Sequence, residues 1–429
     1  MENNKSTADS DVVVIGAGIG GLALALALHQ AGIACQIIEA VPEIKPVGVG
    51  INLLPHAIAS LDRLGVVAQM ERRCIPTREV CYYTRFGQFV NKEPRGRYAG
   101  YELPQLSIHR ADIHEVLLEA VRERLGPGAV ELGRRCTGVS QDDQGVQVHV
   151  QDAQGNALAD IRGRIAVACD GVNSAIRKKM HPVEAVPRYE GTTMYRGVTR
   201  WKPFLTGASM VYLGTQETGK LVIYPIRNKV DAEGRQLINW VIEIERTGES
   251  LQRDWNRRAS VEAFIENFKD CAFEWLDIPA VLRAADTIFE YPMVDQEPLP
   301  FWTQGRVTLL GDAAHPMMPR GSNGAAHSVA DAIALADLLV EHSDPQQALK
   351  LYEAQRLPAT AKVVLANRSI SPDAVLRLVE ERSGGKPFER IEDVLPAVEF
   401  EQWQERYRQV AGFDRAHVHA AHPATEKRA

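Results

Sequence analysis

The stretch Gly16-Ala17-Gly18-Ile19-Gly20-Gly21 decides how this chain folds. It follows an apolar run at 12–15 and opens a helix-forming run at 22–33, which is the strand, turn and helix order of a dinucleotide-binding βαβ unit. Gly16 permits a tight turn, Gly18 lets the backbone approach a pyrophosphate, and Gly21 lets the helix pack closely on the strand. The free amides and the positive dipole end of that helix would then face phosphate groups.

The dinucleotide fingerprint continues at Glu39, which ends a strand-like run at 34–38 and lies about 20 residues beyond the glycines. A carboxylate at that distance can accept hydrogen bonds from a ribose hydroxyl. The alternative is a chance glycine turn, and the strand, helix and acid around the turn argue against it. The pattern therefore predicts dinucleotide binding, without separating NAD from FAD.

Two later segments also end buried strands, each with an Asp-Gly or Gly-Asp turn. Residues 169–177, Cys-Asp-Gly-Val-Asn-Ser-Ala-Ile-Arg, close the apolar run at 165–168. Residues 307–316, Val-Thr-Leu-Leu-Gly-Asp-Ala-Ala-His-Pro, precede Pro319, Gly321, Asn323 and Gly324. A simple nicotinamide dehydrogenase has no use for these two segments. Together with the glycine fingerprint they resemble the DG and GD motifs of the class A flavoprotein aromatic hydroxylases, and the resemblance covers nearly the whole chain.

Five further segments resemble the phenazine-modifying members of that family: residues 48–52, 107–110, 194–199, 239–241 and 291–295. The resemblance implies an FAD-dependent monooxygenase that uses NAD(P)H and O2 to hydroxylate an aromatic or N-heteroaromatic ring, phenazine-like or salicylate-like. The implied route passes through a C4a-hydroperoxide of the flavin, and loss of a ring carboxylate is one possible outcome. Because such a species survives only where water is excluded, an apolar and aromatic pocket is expected.

The resemblance also implies which residues hold the tightly bound FAD: Gly16, Gly18, Gly21, Glu39, Gly50, Arg110, Asp170, Arg177, Asp312, Gly324 and Ala325. Asp312 is expected to accept a ribityl hydroxyl, and an ordinary turn aspartate is the alternative. Arg110 is expected to contact the cofactor from the end of a strand rather than being a solvated surface arginine. Asp170 and Arg177 fall on a motif that serves FAD and NAD(P)H in the family, although they could instead form a structural ion pair.

The predicted catalytic positions are Pro292, Gly321, Asn323 and Gly324, and the predicted substrate contacts are Tyr224, Trp240 and Pro292. Residues 321–325 lead into a helix, so their amides could stabilise the anionic reduced flavin. Aromatic residues at strand spacing are more often part of a core, and that alternative stays open for the substrate contacts. His315 is expected to pack or to cap a helix rather than to act as a base, despite its ordinary pKa near neutrality. His327 departs from the family and leaves one flavin contact open, with a substrate-facing histidine as an alternative.

Strand-like and helix-like runs alternate along the chain and predict an α/β fold. As the resemblance implies, it has a Rossmann-like FAD-binding lobe of the GR2 type, an inserted β-sheet substrate lobe and a C-terminal helical extension. The predicted boundaries are 10–185 and 291–366 for the two parts of the FAD-binding lobe, 186–290 for the substrate lobe, and 367–429 for the extension and tail. An alternating run at 145–150 and a turn at 154–156 predict a hairpin that delivers the strand at 161–168.

Composition agrees with a soluble two-lobed enzyme. The 429 residues are 45% hydrophobic with a net charge of −6, which gives no reason to expect nucleic acid or a membrane as a partner. No run reaches the roughly 18 consecutive apolar residues of a membrane span, and the polar start does not resemble a signal peptide. Scattered cysteines without a CxxC pair predict free thiols and no metal site. A cytoplasmic monomer or homodimer is expected.

The sequence holds no second dinucleotide fingerprint, which argues against the disulfide reductase plan and favours transient docking of NADH or NADPH near the flavin. A flavin-dependent oxidase or dehydrogenase would share the cofactor motifs and differ in its handling of O2. A non-catalytic FAD-binding redox sensor is a further alternative, which repeated turnover of an aromatic ligand would exclude. A flavin-dependent halogenase is disfavoured because the WxWxIP signature is missing from the sequence.

Overall fold

The computed structural model describes residues 10–45, 48–184, 188–246, 257–319, 321, 323–369 and 374–411, so the predicted polar tail at the C-terminus lies outside them. Within these ranges the strands are β1 (Ser10–Ile15), β2 (Cys35–Ile38), β3 (Gly50–Leu53), β4 (Ile75–Pro76), β5 (Glu79–Tyr83), β6 (Phe89–Pro94), β7 (Leu106–His109), β8 (Val130–Glu131), β9 (Arg135–Gln141), β10 (Val146–Gln151), β11 (Ile161–Ala168), β12 (Arg188–Trp201), β13 (Ser209–Leu213), β14 (Lys220–Arg227), β15 (Gln236–Glu245), β16 (Ala272–Phe273), β17 (Leu276–Asp277), β18 (Ile288–Asp295), β19 (Thr303–Gln304) and β20 (Val307–Leu309). The α-helices are α1 (Ile19–Gln30), α2 (Pro55–Arg63), α3 (Val67–Glu71), α4 (Arg110–Leu125), α5 (Ala175–Met180), α6 (Ile278–Arg283), α7 (Asn323–Glu341), α8 (Pro345–Ser369), α9 (Ala374–Ser383) and α10 (Ala397–Ala411). None of the helices in the described ranges is both long and apolar enough to cross a bilayer.

The first sheet has the strand order β19-β20-β11-β1-β2-β8, with β10 and β9 joined to it through β11. Strand β1 is parallel to β2 and β11, and β11 is parallel to β20. The carboxyl ends of parallel strands meet at one edge of a sheet, which is where ligands bind in α/β folds. The turns that begin at Gly16, Cys169 and Leu310 follow β1, β11 and β20, so the three motifs found in the sequence meet at this edge.

Two local predictions are tested directly by this first sheet. The predicted hairpin is confirmed, since β10 and β11 pair antiparallel with Val148 opposite Ile161. Helix α1 begins three residues earlier than predicted, at Ile19, because the backbone of Gly18 already accepts the hydrogen bond from the amide of Leu22. Residues 21–28 of α1 are all buried, which explains why that segment carries almost no polar side chains.

The second sheet has the order β18-β12-β15-β14-β13-β5-β6 and is antiparallel except where β13 pairs with β5. Its strands β5 and β6 come from residues 79–94, so the prediction that 186–290 holds this sheet is incomplete. The strand β18 also continues past residue 290 to Asp295. Ser209 pairs with Glu79 in parallel, and a pairing between such distant segments leaves no local pattern in the sequence.

The two faces of the second sheet pack against different partners. One face carries Ile223, Trp240 and Ile242, which contact Phe264 and the helix α6 in one buried cluster. The other face carries Tyr224 and neighbouring apolar side chains, and part of it is covered by α9 and α10. The predicted C-terminal extension therefore covers this sheet with at least two helices.

Candidate active site

Two of the glycines in the turn after β1 lie against backbone atoms that exclude a side chain, and a third faces open space. A β-carbon at Gly16, where φ is +104°, would lie 2.5 Å from the carbonyl oxygen of Cys169. One at Gly21 would lie 2.0 Å from the carbonyl oxygen of Gly16. A β-carbon at Gly18 would meet nothing within 4 Å. The free space therefore lies at the N-terminus of α1, where helix amides and dipole favour a phosphate.

Two side chains hold this turn in place. Glu39 accepts hydrogen bonds from the backbone amides of Ala17 at 2.8 Å and Val41 at 3.0 Å. From the opposite side, His114 Nε2 donates to the carbonyl oxygen of Ala17 at 2.6 Å. Each carboxylate oxygen of Glu39 keeps a further lone pair, so the contact to a ribose hydroxyl stays a prediction that the geometry permits.

The turn after β20 presents a carboxylate to the same edge. Asp312 is exposed and makes no hydrogen bond within the part of the chain that the structure describes. Its Oδ1 lies 4.0 Å from the position that a β-carbon of Gly324 would occupy. Helix α7 begins at Asn323, within the segment predicted to lead into it, and Gly321 has a positive φ of +67°. The carboxylate of Asp312 therefore lies near the first turn of α7, and its predicted contact to the cofactor stays a prediction.

Arg177 connects the second and third motifs through hydrogen bonds within the protein. Its Nε donates to Glu184 at 2.9 Å, and its Nη1 donates to the carbonyl oxygens of Ala313 at 3.1 Å and Ala314 at 3.3 Å. The side chain is only 2% exposed. The alternative pairing of Arg177 with Asp170 is therefore wrong, because the carboxylate partner is Glu184, and the predicted contact of Arg177 to the cofactor stays a prediction.

Asp170 remains at the edge of the first sheet beside α5. Its Oδ2 accepts a hydrogen bond of 2.9 Å from the amide of Ala175. Burial raises the pKa of Asp170 above its ordinary value, although hydrogen bonds from the surrounding loop partly offset that effect. Its predicted contact to the cofactor stays a prediction.

Behind the Gly311-Asp312 turn lies a buried ionic network centred on Asp331, which is fully buried. Asp331 accepts from His315 Nε2 at 2.5 Å and from Arg356 Nε at 2.7 Å, and the amide of Gly311 donates to it at 3.3 Å. Burial raises the pKa of Asp331, but the two cationic partners outweigh burial and hold it at about 2. His315 thus positions the turn through Asp331, in agreement with the packing role expected from the sequence.

His327 belongs to the same network. Its Nδ1 accepts a hydrogen bond of 3.1 Å from Arg356 Nη2 in α8. Burial, with Arg356 and His315 nearby, lowers the pKa of His327 to about 3, so the ring is neutral at ordinary pH. This partner explains a residue whose role the sequence left open.

Gly50 is the first residue of β3, and it connects the second sheet to a separate small sheet with the strand order β3-β7-β4. Its amide donates to Asn239 Oδ1 at 2.6 Å, and its carbonyl oxygen accepts from Arg196 Nη2 at 2.7 Å. A β-carbon at Gly50 would lie 2.6 Å from atoms of Asn239, so only glycine allows this approach. The amide of Gly50 is thus used within the protein and its missing side chain makes room for Asn239, while its predicted contact to the cofactor stays a prediction.

Tyr224 lies beside this junction, opposite Asn239 in the pairing of β14 and β15. It is 4% exposed and lies near the side chains of Asn239 and Asn52. Burial raises the pKa of Tyr224 to about 12, although these two side chains act to lower it, so the phenol stays protonated. Its predicted contact to substrate stays a prediction.

The other two predicted substrate contacts, Trp240 and Pro292, point to the opposite face of the second sheet, and their roles at the site stay predictions. Trp240 is completely buried on the opposite face from Asn239, with its ring against Gly197 and its Nε1 donating to Thr199 Oγ1 at 3.1 Å. Pro292, also predicted as a catalytic position, lies between Tyr291 and Met293, which both contact one methionine cluster. Side chains alternate along a strand, so the ring of Pro292 points away from that cluster. Because side chains alternate along a strand, Trp240 and Pro292 lie on the opposite face of the second sheet from the one that contacts the cofactor motifs.

A sulfur-rich apolar cluster marks the face that does meet the cofactor motifs. It contains Met194 from β12, Met293 from β18 and Met318 from the segment that follows the Gly311-Asp312 turn, with Tyr291 packed against it. Arg196 lies two residues from Met194 on the same face of β12. Neither Arg196 nor Asn239 was singled out from the sequence, although both fall in segments that carried the family resemblance.

Comparison with known proteins identifies the family. The profile of the FAD binding domain family matches residues 9–367. The chain belongs to this FAD-binding family. It is 41% identical to the phenazine 1,6-dicarboxylic acid hydroxylase PhzS of Lysobacter antibioticus, over 84% of this chain and 89% of that one. It is 32% identical to the 3-hydroxybenzoate 6-hydroxylase of Polaromonas naphthalenivorans, over 90% of this chain and 95% of the relative.

The fold is shared with a solved structure that contains FAD. The crystal structure of Klebsiella pneumoniae HpxO complexed with FAD and uric acid superposes with a TM-score of 0.70 at 24% identity, over 96% of this chain and 97% of that one. The predicted α/β fold, the resemblance to aromatic hydroxylases and the use of FAD are confirmed. This FAD-binding family member is a flavoprotein monooxygenase that takes its reducing equivalents from NAD(P)H.

Proposed function

We propose that the protein hydroxylates an aromatic or N-heteroaromatic carboxylic acid of the phenazine or hydroxybenzoate kind. The two relatives act, by name, on phenazine 1,6-dicarboxylic acid and on 3-hydroxybenzoate. The observation that carries the proposal is the cluster of Met194, Met293 and Met318. There the segment after the Gly311-Asp312 turn contacts the second sheet, so a flat apolar ring held on this face would lie beside the cofactor motifs.

The residues at the edge of the first sheet fit FAD. The space at Gly18 suits the pyrophosphate, Glu39 the ribose and the free carboxylate of Asp312 the ribityl chain. Arg110 is exposed and forms no ion pair within the described residues, so it is available to the cofactor. We keep Asp170, Gly324 and Ala325 in the proposed cofactor site. When bound, FAD would supply the activation of O2 with two electrons from NAD(P)H.

The chain itself supplies position, polarity and exclusion of water. Amides at the start of α7, from Asn323 and Gly324, would stabilise negative charge on a ring placed at the helix N-terminus. The neutral phenol of Tyr224 can donate a hydrogen bond to an oxygen of the substrate. The methionine cluster would keep water from the reacting ring, which protects a reactive oxygen species from hydrolysis.

The division into lobes is also a proposal. We assign residues 10–185 and 291–366 to the FAD-binding lobe and 186–290 to the substrate lobe, with β5, β6 and the end of β18 added to the sheet of the substrate lobe. The six cysteines form no disulfide, and four of them are buried, which is consistent with the reducing cytoplasm. A monomer or homodimer in that compartment completes the proposal.

The proposal is tested by NADH and NADPH oxidation with the FAD-loaded protein, with phenazine-1-carboxylate, salicylate and 3-hydroxybenzoate as probes. Hydrogen peroxide, the hydroxylated product and carbon dioxide are measured in the same samples. Faster oxidation with product and little peroxide supports a hydroxylase of ring acids, and carbon dioxide released with the product shows decarboxylation. Faster oxidation that yields peroxide alone, or no acceleration by any ring acid, contradicts the proposed substrate class.

A further inference from the structure

Arg196 is a cation without an anionic partner at the candidate site. Its Nη2 donates to the carbonyl oxygen of Gly50 at 2.7 Å. Its Nε is shielded from solvent and has no hydrogen-bond partner. Within the described residues no carboxylate forms an ion pair with it, and its charged or titratable neighbours are Arg110 and the two phenols of Tyr224 and Tyr291.

An arrangement of this kind is costly for the free protein. Arg196 is partly exposed, but its Nε is shielded from water without a counter-ion, and the loss of hydration disfavours the charged form. The nearby Arg110 adds a second positive charge and opposes the charge of Arg196. Two neighbouring cations with no acid among their recorded partners in the described part of the chain create a positive potential, which attracts an anion.

The shape of the guanidinium indicates how that anion would bind. The bond from Nη2 to Gly50 orients the planar group and leaves Nε as an unused donor. A guanidinium presents its donors as a rigid fork that matches the two oxygens of a carboxylate. The anion would therefore meet Arg196 through Nε, on a face of β12 that it shares with Met194.

The neighbours of Arg196 select the rest of the ligand. Met194 is two residues away on the same face of β12, and Tyr291 pairs with Met194 across β12 and β18. The cluster of Met194, Met293 and Met318 offers sulfur and carbon contacts to a flat ring, with Tyr291 at its side. A ligand with an apolar aromatic body and one anionic end could contact the methionine cluster with its ring and Arg196 with its charge.

We propose that Arg196 binds the carboxylate of the aromatic substrate and thereby makes the enzyme selective for ring acids over their neutral counterparts. The inference rests on the proposed function and assigns one residue to substrate selection. It separates the substrate anion from the cofactor phosphates, which belong to the turn at Gly18.

The test uses the FAD-loaded full chain and a matched pair of ligands, phenazine-1-carboxylate and phenazine-1-carboxamide, which differ in charge but little in shape. Dissociation constants are read from perturbation of the flavin absorbance, and KM and kcat from NAD(P)H oxidation. In Arg196→Gln the carboxylate should bind about 10- to 100-fold more weakly, while the carboxamide binds as it does to the wild type. Arg196→Lys should recover part of the loss, because it restores the charge without the fork.

Arg200→Gln is the matched control on the same strand, since Arg200 is exposed and pairs with Asp286. It should leave both dissociation constants unchanged. Circular dichroism and FAD content verify that each variant is folded and loaded.

Three outcomes overturn the inference. Unchanged binding of the carboxylate in Arg196→Gln removes Arg196 from substrate selection while the proposed function stands. Equal weakening of carboxylate and carboxamide, or loss of FAD, assigns Arg196 to the cofactor or to folding. A wild-type protein that neither binds nor oxidises any ring acid removes the proposed function and this inference together.

Discussion

Asn239 and Gly50 are 189 residues apart in the chain, and the Oδ1 of Asn239 accepts a hydrogen bond of 2.6 Å from the amide of Gly50. This bond joins β15 of the second sheet to β3. Asn239 is fully buried, and Arg196 contacts the other polar group of Gly50. The strand β3 and the second sheet are thus held together by polar contacts that leave no room for a side chain at Gly50.

Removing the side chain of Asn239 should destabilise the protein. In Asn239→Ala the amide of Gly50 is left buried without its acceptor, which typically costs about 1–3 kcal/mol of unfolding free energy. Urea unfolding followed by circular dichroism measures this loss. Asn267→Ala is the control, because Asn267 is exposed and its side-chain amide donates to the carbonyl oxygen of Thr218. Equal unfolding midpoints for the two variants would contradict the role given to Asn239.

Two alanine substitutions in the glycine turn should separate cofactor binding from folding. Gly18→Ala meets no protein atom within 4 Å and keeps an allowed φ of −72°, so the apoprotein should unfold as the wild type does while FAD binds more weakly. Gly21→Ala would place its methyl 2.0 Å from the carbonyl of Gly16 and should lower the thermal midpoint itself. FAD titration and thermal unfolding of both apoproteins give the comparison. Full FAD affinity in Gly18→Ala would show that no phosphate lies at this turn.

Asp312→Ala should lose cofactor and keep its fold. The carboxylate is exposed and has no hydrogen-bond partner in the described part of the chain, so its removal breaks nothing within the protein. A hydrogen bond to a charged group contributes about 1.5–3 kcal/mol, which corresponds to roughly 10- to 100-fold weaker FAD binding. Asp143→Ala, at an exposed turn, is the control. Wild-type FAD content and turnover in Asp312→Ala would refute its assignment.

Mild acid should destabilise the protein through His56 and His327, whose pKa values are lowered in the folded state. Burial lowers the pKa of His56 to about 4, and burial together with Arg356 and His315 lowers that of His327 to about 3. An unfolded histidine has a pKa of about 6.5, so below that pH the unfolded state binds protons that the folded state does not. The free energy of unfolding should therefore fall as pH decreases from about 6.5, by at most about 1.4 kcal/mol per pH unit for each histidine.

The experiment compares urea midpoints at several pH values between 7 and 5, converted to unfolding free energies. His327→Gln should show a smaller fall than the wild type because one of the two protonation sites is gone. His29→Gln should keep the wild-type slope, since His29 is exposed on α1. A slope unaffected by His327→Gln would mean that this ring is protonated in the folded protein.

Much of the cofactor site was predictable because its determinants are local. Gly16 and Gly21 each carry a backbone requirement and Gly18 leaves open space for a ligand, which the spacing of the glycines in the sequence displays directly. The turns at Asp170 and Asp312 follow apolar strands, and parallel strands bring such turns to one edge. A few residues of sequence are enough to recognise each of these features.

The sequence does not reveal contacts that depend on how separate segments of the chain pack together. Arg177 lies in a family motif, yet its carboxylate partner Glu184 lies outside that motif. Trp240 and Asn239 are adjacent in sequence, and side chains alternate along a strand, so they lie on opposite faces of β15. The register of β15 against β12 places Trp240 opposite Gly197 and Asn239 opposite Val198. Gly50 faces Asn239, whose position depends on the packing of two sheets.

The central claim is that O2 supplies the oxygen that this protein adds to an aromatic ring. It is tested most directly by turnover under 18O2 with phenazine-1-carboxylate, salicylate and 3-hydroxybenzoate, with mass spectrometry of the products. We predict a hydroxylated product that carries one 18O atom from O2 and accounts for most of the NAD(P)H consumed. Hydrogen peroxide equal to the NAD(P)H consumed, with every ring acid recovered unchanged, would contradict it.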